Sequence, residues 1–257
     1  MLAQSELNLG SNKIELNLDE VLREFKASRL YSAFSAFATE LKKHGYNVEI
    51  YSMKSLELYP DLTETRKNEL AEYYENWLSW IQLGDIEIDR RPRREIEIEF
   101  AKRSLNHFGL HLDEKFWLTY TDEQVIEIYG PEMIQLYRSL NFFKLCGYSL
   151  LDISVFQWYV LWNRSKMIME SINSDVSEVM GNALSSFKFR VPLHLLLETL
   201  NTGDTINFQP RATEINFQHI ACLKNSPMSS DAPSAFICTS KARTIAEGEE
   251  IENIYII

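Results

Sequence analysis

The chain has 257 residues, of which 45% are hydrophobic and 25% are charged. This composition is typical of a globular protein with a real core and not of a disordered chain. The formal net charge of −11 disfavours binding to nucleic-acid phosphates and to anionic membrane surfaces. No apolar run reaches the roughly 18–20 residues of a membrane span, and residues 1–14 lack the pattern of a signal peptide. We therefore expect a cytoplasmic protein that binds neither nucleic acid nor membrane.

The cysteines are too few and too far apart to suggest a disulfide framework or a zinc site. There are three, Cys146, Cys222 and Cys238, with no C-x-x-C pair. An odd number of widely spaced cysteines predicts reduced, mostly buried thiols.

The N-terminal part is predicted to be a helical region, residues 1–89, that begins with a flexible arm over residues 1–16. Asn17 can cap a helix whose apolar residues recur every three or four positions until Gly45. A short apolar stretch at 46–53 is consistent with a strand. A second amphipathic helix is predicted over 64–82, and the two helices are expected to pair as an antiparallel hairpin.

Residues 85–99 read DIEIDRRPRREIEIE and alternate between apolar and acidic positions. Alternation favours an extended strand, and Pro92 excludes a helix that runs through the middle. We interpret the segment as a solvated connector at a domain boundary. The alternative is a docking site for an anion or a partner, formed by Arg90, Arg91, Arg93 and Arg94.

Helical signals resume after residue 100. The capping-box pattern at 121–124 predicts a short helix that carries Val125 and Ile128. Pro131 suits the first turn of a helix that would end near Cys146.

The pattern Ser149-x-x-Asp152 starts another predicted helix, which reaches Trp162. After Trp162 and a polar stretch, the spacing of the apolar residues changes from the period of a helix to that of a strand. Strands are predicted at 187–191, 205–208, 214–223 and 235–239. The predicted fold class is therefore α+β, with a helix-rich N-terminal region before a small antiparallel sheet.

Residues 142–153 read FFKLCGYSLLDI and resemble a signature of PAS sensor domains. That signature has an aromatic residue, a leucine, Gly-Tyr-Ser, an acid and an aliphatic residue at fixed spacing. The matching residues are Phe142, Leu145, Gly147, Tyr148, Ser149, Asp152 and Ile153. The chain departs from the family at Ser139, where an asparagine is common, and in the predicted helix before the signature, where the family has strands.

The resemblance implies a PAS-like module within 90–257, with a five-stranded antiparallel sheet after residue 120 and a cavity beside Gly147–Ser149. A module of this kind binds a small ligand or a partner protein, commonly as a homodimer, and signals by a conformational change. The residues expected to line the ligand pocket are Phe142, Phe143, Leu145, Tyr148, Phe156, Trp158, Tyr159 and Trp162. The sequence assigns no cofactor.

Three alternatives to a PAS-like sensor are open, and the first two use the same residues. The Gly-Tyr-Ser turn between two helices also resembles the helix-turn-helix of MerR-type regulators, but the helix after Ser149 offers apolar residues where base readout needs Arg, Lys, Asn or Gln. A structural or adaptor protein without ligand would use the same aromatic residues as core.

An unrecognised enzyme would need clustered polar residues. Candidates are His107 with His111 as metal ligands, and His194 with Glu198 as an acid–base pair on one helix face. Residues 239–243 offer hydroxyls and cations for an anion. No G-x-S-x-G, P-loop or G-x-G-x-x-G motif is present, so we expect neither an enzyme nor a metal site.

Overall fold

The computed structural model describes residues 17–84, 86–130, 133–163, 166–182, 194–198, 212–223 and 235–244. The helices are α1 (Leu18–Ala27), α2 (Arg29–Lys43), α3 (Met53–Leu58), α4 (Glu64–Gln82), α5 (Arg93–His107), α6 (Phe142–Leu145), α7 (Leu150–Val155), α8 (Trp158–Leu161) and α9 (Lys166–Asn182). Short 3-10 helices cover Tyr59–Asp61 and Glu114–Thr119. The strands are β1 (Gln124–Tyr129), β2 (Gln135–Arg138), β3 (Trp162–Asn163), β4 (His194–Glu198), β5 (Ala212–Leu223) and β6 (Ala235–Thr244).

The first predicted helix is in fact two helices. Asn17 caps α1 as expected, since its side chain accepts from the Glu20 N–H at 3.4 Å. Ser28 then adopts an extended conformation and caps α2 by accepting from the Tyr31 N–H at 3.1 Å. Gly45 follows α2 with a φ of +81°, a conformation that glycine adopts without strain.

The second predicted helix is confirmed, because α4 spans Glu64–Gln82. Its pairing with α2 is not antiparallel. Ring centroids of Phe34 and Tyr74 lie 4.7 Å apart, and those of Phe37 and Trp77 lie 5.2 Å apart. Contact partners therefore advance in the same direction along both helices. The chain between α2 and α4 returns through α3, which allows the two helices to run in the same direction. Residues 46–53, where a strand was predicted, form no strand.

The alternating segment is also not a strand. Pro92 is the N-cap of α5, which includes the second half of the alternating run. Its buried residues, which fall on one helical face, are Ile96, Glu97, Phe100, Ala101, Ser104 and Leu105. Helical spacing also brings Arg103 within 2.7 Å of Glu99. Glutamate and arginine are good helix formers, and here that preference together with one-sided burial outweighs the local alternation.

An antiparallel sheet with the order β2-β1-β6-β5-β4-β3 follows. The fold class α+β is thus confirmed. The helix predicted over Val125 and Ile128 is wrong, because both residues lie in β1. Val125 pairs with Ser240 and Ile128 pairs with Ile237 of β6, and these distant partners bury β-branched side chains that favour strands. The helix predicted from Pro131 is wrong as well, since β2 occupies Gln135–Arg138.

Helices α6 to α9 connect β2 to the later strands. Ser149 and Asp152 form the predicted capping box at the start of α7. The helix predicted to reach Trp162 is interrupted, because Phe156 is extended and α8 begins only at Trp158. Helix α7 lies near β2, α6 near β6 and α9 near β5.

Two of the predicted later strands are confirmed as β5 and as β6, which extends to Thr244. The strands predicted at 187–191 and 205–208 lie outside the described residues. One buried core runs through both predicted regions, with Trp77 and Phe100 ring centroids 5.0 Å apart. The division of the chain at residue 89 stays a prediction. Among the described helices, none combines the length and the apolarity needed to cross a membrane.

Candidate functional site

A buried polar cluster lies where β1 pairs with β2. The Glu127 carboxylate accepts from the Tyr129 hydroxyl at 2.6 Å and from Gln135 Nε2 at 2.7 Å. The Arg138 guanidinium lies 3.8 Å from the same carboxylate oxygen. All four residues are buried, and burial raises the pKa of Tyr129 well above its ordinary value, so the phenol stays protonated and donates.

Strand register explains why these side chains meet. Glu127 is paired with Arg138 on one side and with Cys238 of β6 on the other. Successive side chains in a strand point to opposite faces. Tyr137, the neighbour of Arg138, therefore points to the other face, where its hydroxyl donates to Glu97 of α5 at 3.2 Å.

Arg138 connects the strand cluster to α6 and the turn after it. Its Nη1 donates to Cys146 Sγ at 3.2 Å, and its guanidinium lies 3.9 Å from the centre of the Phe142 ring. Burial by itself would lower the pKa of Arg138, but Cys146 and Glu127 outweigh burial and raise it. Within the described residues, Arg138 Nε and Nη2 and Gln135 Oε1 make no hydrogen bond.

A cleft of about 430 Å³ opens beside this cluster. Its walls are residues 45, 47–49, 143, 144 and 146–148. Polar groups on the walls include Asn47, Glu49 and Lys144, and the Lys144 ammonium lies 4.4 Å from the centre of the Tyr46 ring. The cleft thus separates the loop after α2 from the Gly147-Tyr148 turn.

The space behind the Phe143 wall is narrow. A void of about 10 Å³ lies among α4, β2 and residues 143 and 153. That volume is about what one water molecule needs. A small organic ligand does not fit there in this packing.

Most of the residues predicted to line a pocket are buried. Phe142 and Tyr148 each pack against Trp162, with centroids 5.9 and 5.2 Å apart, and the Tyr148 hydroxyl donates to the Leu161 carbonyl. Phe143 and Tyr148 line the cleft. Leu145 is buried.

The other predicted pocket residues lie apart from this group. The Trp158 ring is 6.5 Å from the Tyr129 ring, Phe156 is half-buried, and Tyr159 is 45% exposed. Phe142, Tyr148 and Trp162 therefore form one cluster that Tyr159 does not join. Their role as a ligand pocket stays a prediction.

A second buried carboxylate lies on the opposite face of the sheet. Glu97 Oε2 accepts from the Leu140 N–H at 3.0 Å, and Oε1 accepts from the Asn141 N–H at 3.1 Å. Burial raises the pKa of Glu97, while these N–H donors and Arg93 act in the other direction. Glu97 fixes the turn between β2 and α6, and thereby the segment that carries the signature.

The enzymatic candidates are not assembled. His107 is the last residue of α5, and His111 lies beyond Gly109, so the two do not share a helix face. His194 and Glu198 lie in β4 and not on a helix, where four residues span roughly 13 Å. Among the described residues, no group of three or more His, Cys, Asp or Glu side chains could hold a metal ion.

Of the groups proposed to bind an anion, Arg94 and Arg90 are engaged in contacts within the chain. Arg94 donates to the Tyr120 and Trp117 carbonyls at 2.9 and 2.8 Å, and Arg90 pairs with Glu87. Thr239 and Ser240 are fully buried in β6, which lies between β1 and β5 and is not an edge.

Sequence reasoning did not find Glu127, Gln135 or Arg138. Their segments were interpreted as helices, in which these residues would not face one another. The signal that could have indicated this buried cluster was the presence of charged residues inside apolar runs of the sequence. No protein-family model matches the chain, and no curated protein matches it significantly.

Proposed function

We propose that the protein is a non-enzymatic sensory or regulatory protein that binds a small ligand through a PAS-like module. The cleft beside Gly147 and Tyr148 is the proposed binding site. Occupancy would favour one of two packings of the N-terminal helices against the module. Homodimerisation stays a prediction that light scattering checks.

The position of the cleft carries this proposal. A cleft of about 430 Å³ lies beside the turn that the family resemblance singles out, and an antiparallel sheet follows residue 120. Ligand pockets are commonly of about 300–1,000 Å³. Strands β1 and β2 also lie before the signature, where PAS domains have strands.

The position of the cleft suits a switch. Its two walls belong to the loop after α2 and to the segment after α6. Deeper in the structure the same two segments are joined, because the Leu150 and Leu151 N–H groups donate to the Glu49 and Ile50 carbonyls at 2.9 and 3.0 Å. A ligand that bridges the walls would strengthen this junction, and one that wedges between them would weaken it.

The proposal is tested by blocking the cleft with a bulky side chain. Asn47 is exposed on its wall, so Asn47→Trp is expected to fold and to block binding. Asn68→Trp is the matched control, because Asn68 is exposed on α4 away from the cleft. The wild type is screened against a small-molecule library by thermal shift, and hits are confirmed by native mass spectrometry.

The expected result is a ligand that binds the wild type and Asn68→Trp but binds Asn47→Trp at least about tenfold more weakly, or about 1.4 kcal/mol. Equal binding by both variants would place the ligand elsewhere. A chain that binds no library compound would contradict the sensor proposal.

A structural or adaptor role is the second candidate, and the tight packing behind Phe143 favours it. The void behind Phe143 has room for about one water, and Leu83 and Leu118 are 75% and 80% exposed. An adaptor would bind a partner through such residues. Pull-down with wild type and with Leu118→Glu separates the two ideas, since the cleft would be irrelevant to an adaptor.

A further inference from the structure

Cys146 lies between a buried cation and an open cleft. It lines the cleft wall next to Gly147, it is 4% exposed, and its sulfur accepts from Arg138 Nη1 at 3.2 Å. We propose that Cys146 is a peroxide-reactive thiol that hydrogen peroxide, entering through the cleft, oxidises to a sulfenic acid. This proposal does not rest on the proposed sensor function.

The guanidinium is placed to stabilise a thiolate. Arg138 is 2% exposed, so water does little to screen its charge. Glu127 is its carboxylate neighbour at 3.8 Å, a distance too long for a hydrogen bond. A cation held this close favours the thiolate, which is the nucleophilic form of cysteine.

Arg138 also places its positive charge beside the reacting sulfur. Its Nε and Nη2 make no hydrogen bond within the described part of the chain. A peroxide oxygen that develops negative charge beside the sulfur would be stabilised by the positive charge of the guanidinium, whose Nη1 lies 3.2 Å from that sulfur. The Phe142 ring, 3.9 Å from the guanidinium carbon, holds the group in place.

The step is a two-electron oxidation of sulfur. The Cys146 thiolate attacks one oxygen of hydrogen peroxide, the S–O bond forms and the O–O bond breaks. The other oxygen leaves as hydroxide and takes a proton to become water. Cys146 ends as Cys–SOH, the first and reversible stage of cysteine oxidation.

Oxidation would change the electrostatics of the cluster. The sulfenic acid is uncharged in its protonated form, so Arg138 loses one anionic partner. Glu127 then becomes its nearest anion, and the contact between β2 and the turn after α6 weakens. The signature segment would respond to the oxidant through the contact between Arg138 and Cys146.

Cys238 supplies an internal comparison. It is buried to a similar extent, 2% exposed, but it is paired across β1 with Glu127 and does not line the cleft. The carboxylate would disfavour a thiolate at Cys238. The two thiols therefore differ in charge environment and access more than in burial.

The experiment uses the full chain with hydrogen peroxide and dimedone, and peptide mass spectrometry reads each cysteine. We expect Cys146 to be labelled at least about tenfold faster than Cys238, and Arg138→Met to remove that advantage while Arg138→Lys retains part of it. Equal rates at the two cysteines would overturn the proposal, as would an unchanged Cys146 rate in folded Arg138→Met.

The wild type alone gives a second test if Arg138→Met does not fold. The rate of Cys146 oxidation is measured from pH 5 to 10. A half-maximal rate below pH about 8.5, the ordinary value for cysteine, supports the stabilised thiolate. A half-maximal rate at or above that pH contradicts it.

Discussion

Glu97 gives the sharpest test of how the signature segment is held. Its side chain is 1% exposed and accepts from the Leu140 and Asn141 N–H groups at 3.0 and 3.1 Å. Glu97→Leu would leave two N–H groups without an acceptor, at about 1–3 kcal/mol each. The expected loss of unfolding free energy is therefore about 2–6 kcal/mol.

Glu97→Gln is expected to cost less, about 1–3 kcal/mol, because the amide oxygen can still accept from one N–H group. Glu99→Gln is the control, since Glu99 lies on the same helix, is partly exposed and pairs with Arg103. It should change stability by no more than about 0.5 kcal/mol. Urea unfolding at constant m-value measures all three variants. A cost below about 1 kcal/mol for Glu97→Leu would refute the reasoning.

The same residue predicts a pH dependence. Burial raises the pKa of Glu97 above its ordinary value, so the folded chain holds this proton more tightly than the unfolded chain does. Stability from this group is present below the unfolded pKa, about 4.3, and is lost as pH rises through the folded pKa. The stability of wild type relative to Glu97→Gln should therefore fall as pH rises from about 4. Parallel curves between pH 4 and 8 would contradict the raised pKa.

Two further predictions concern caps and glycines. Ser52 donates to Asp152 at 2.5 Å, so a double-mutant cycle of Ser52→Ala and Asp152→Asn should give a coupling of about 1–2 kcal/mol in urea unfolding, and additive effects would show that the bond contributes nothing. Gly45 has a φ of +81° and open space around its Cα, so Gly45→Ala should cost about 1–2 kcal/mol through the backbone alone. Gly181 lies in α9 with equally open space, and Gly181→Ala should instead stabilise by about 0.5 kcal/mol. Thermal unfolding of the pair checks the opposite signs.

Sequence periodicity predicted the elements whose burial is one-sided and local. Helix α4 keeps its apolar residues on one face, and its predicted bounds match the structure. The capping box of Ser149 and Asp152 was also readable, because all its bonds lie within four residues. Such patterns can be interpreted from the sequence without knowing which distant residues contact them.

The wrong helix predictions arise where contacts with distant residues decide the structure. The Thr121–Gln124 pattern resembles a capping box, and Gln124 does bond back to the Thr121 N–H at 2.7 Å. That bond closes a turn before β1 and not a helix. The deciding contacts come from β6, which lies more than 100 residues further along the chain. The Arg138–Cys146 contact is short in sequence, but it requires Arg138 to be in a strand.

The sheet order has a consequence for synthesis. Strand β1 lies between β2 and β6, and roughly 100 residues separate it from β6. At roughly 5–20 residues per second, the ribosome needs roughly 5–20 s to make them. During that time one edge of β1, with its isoleucines and valine, has no strand to pair with, and such edges are sites of aggregation. The nascent chain is therefore expected to depend on a chaperone, or on its own helices, until its last described strand emerges.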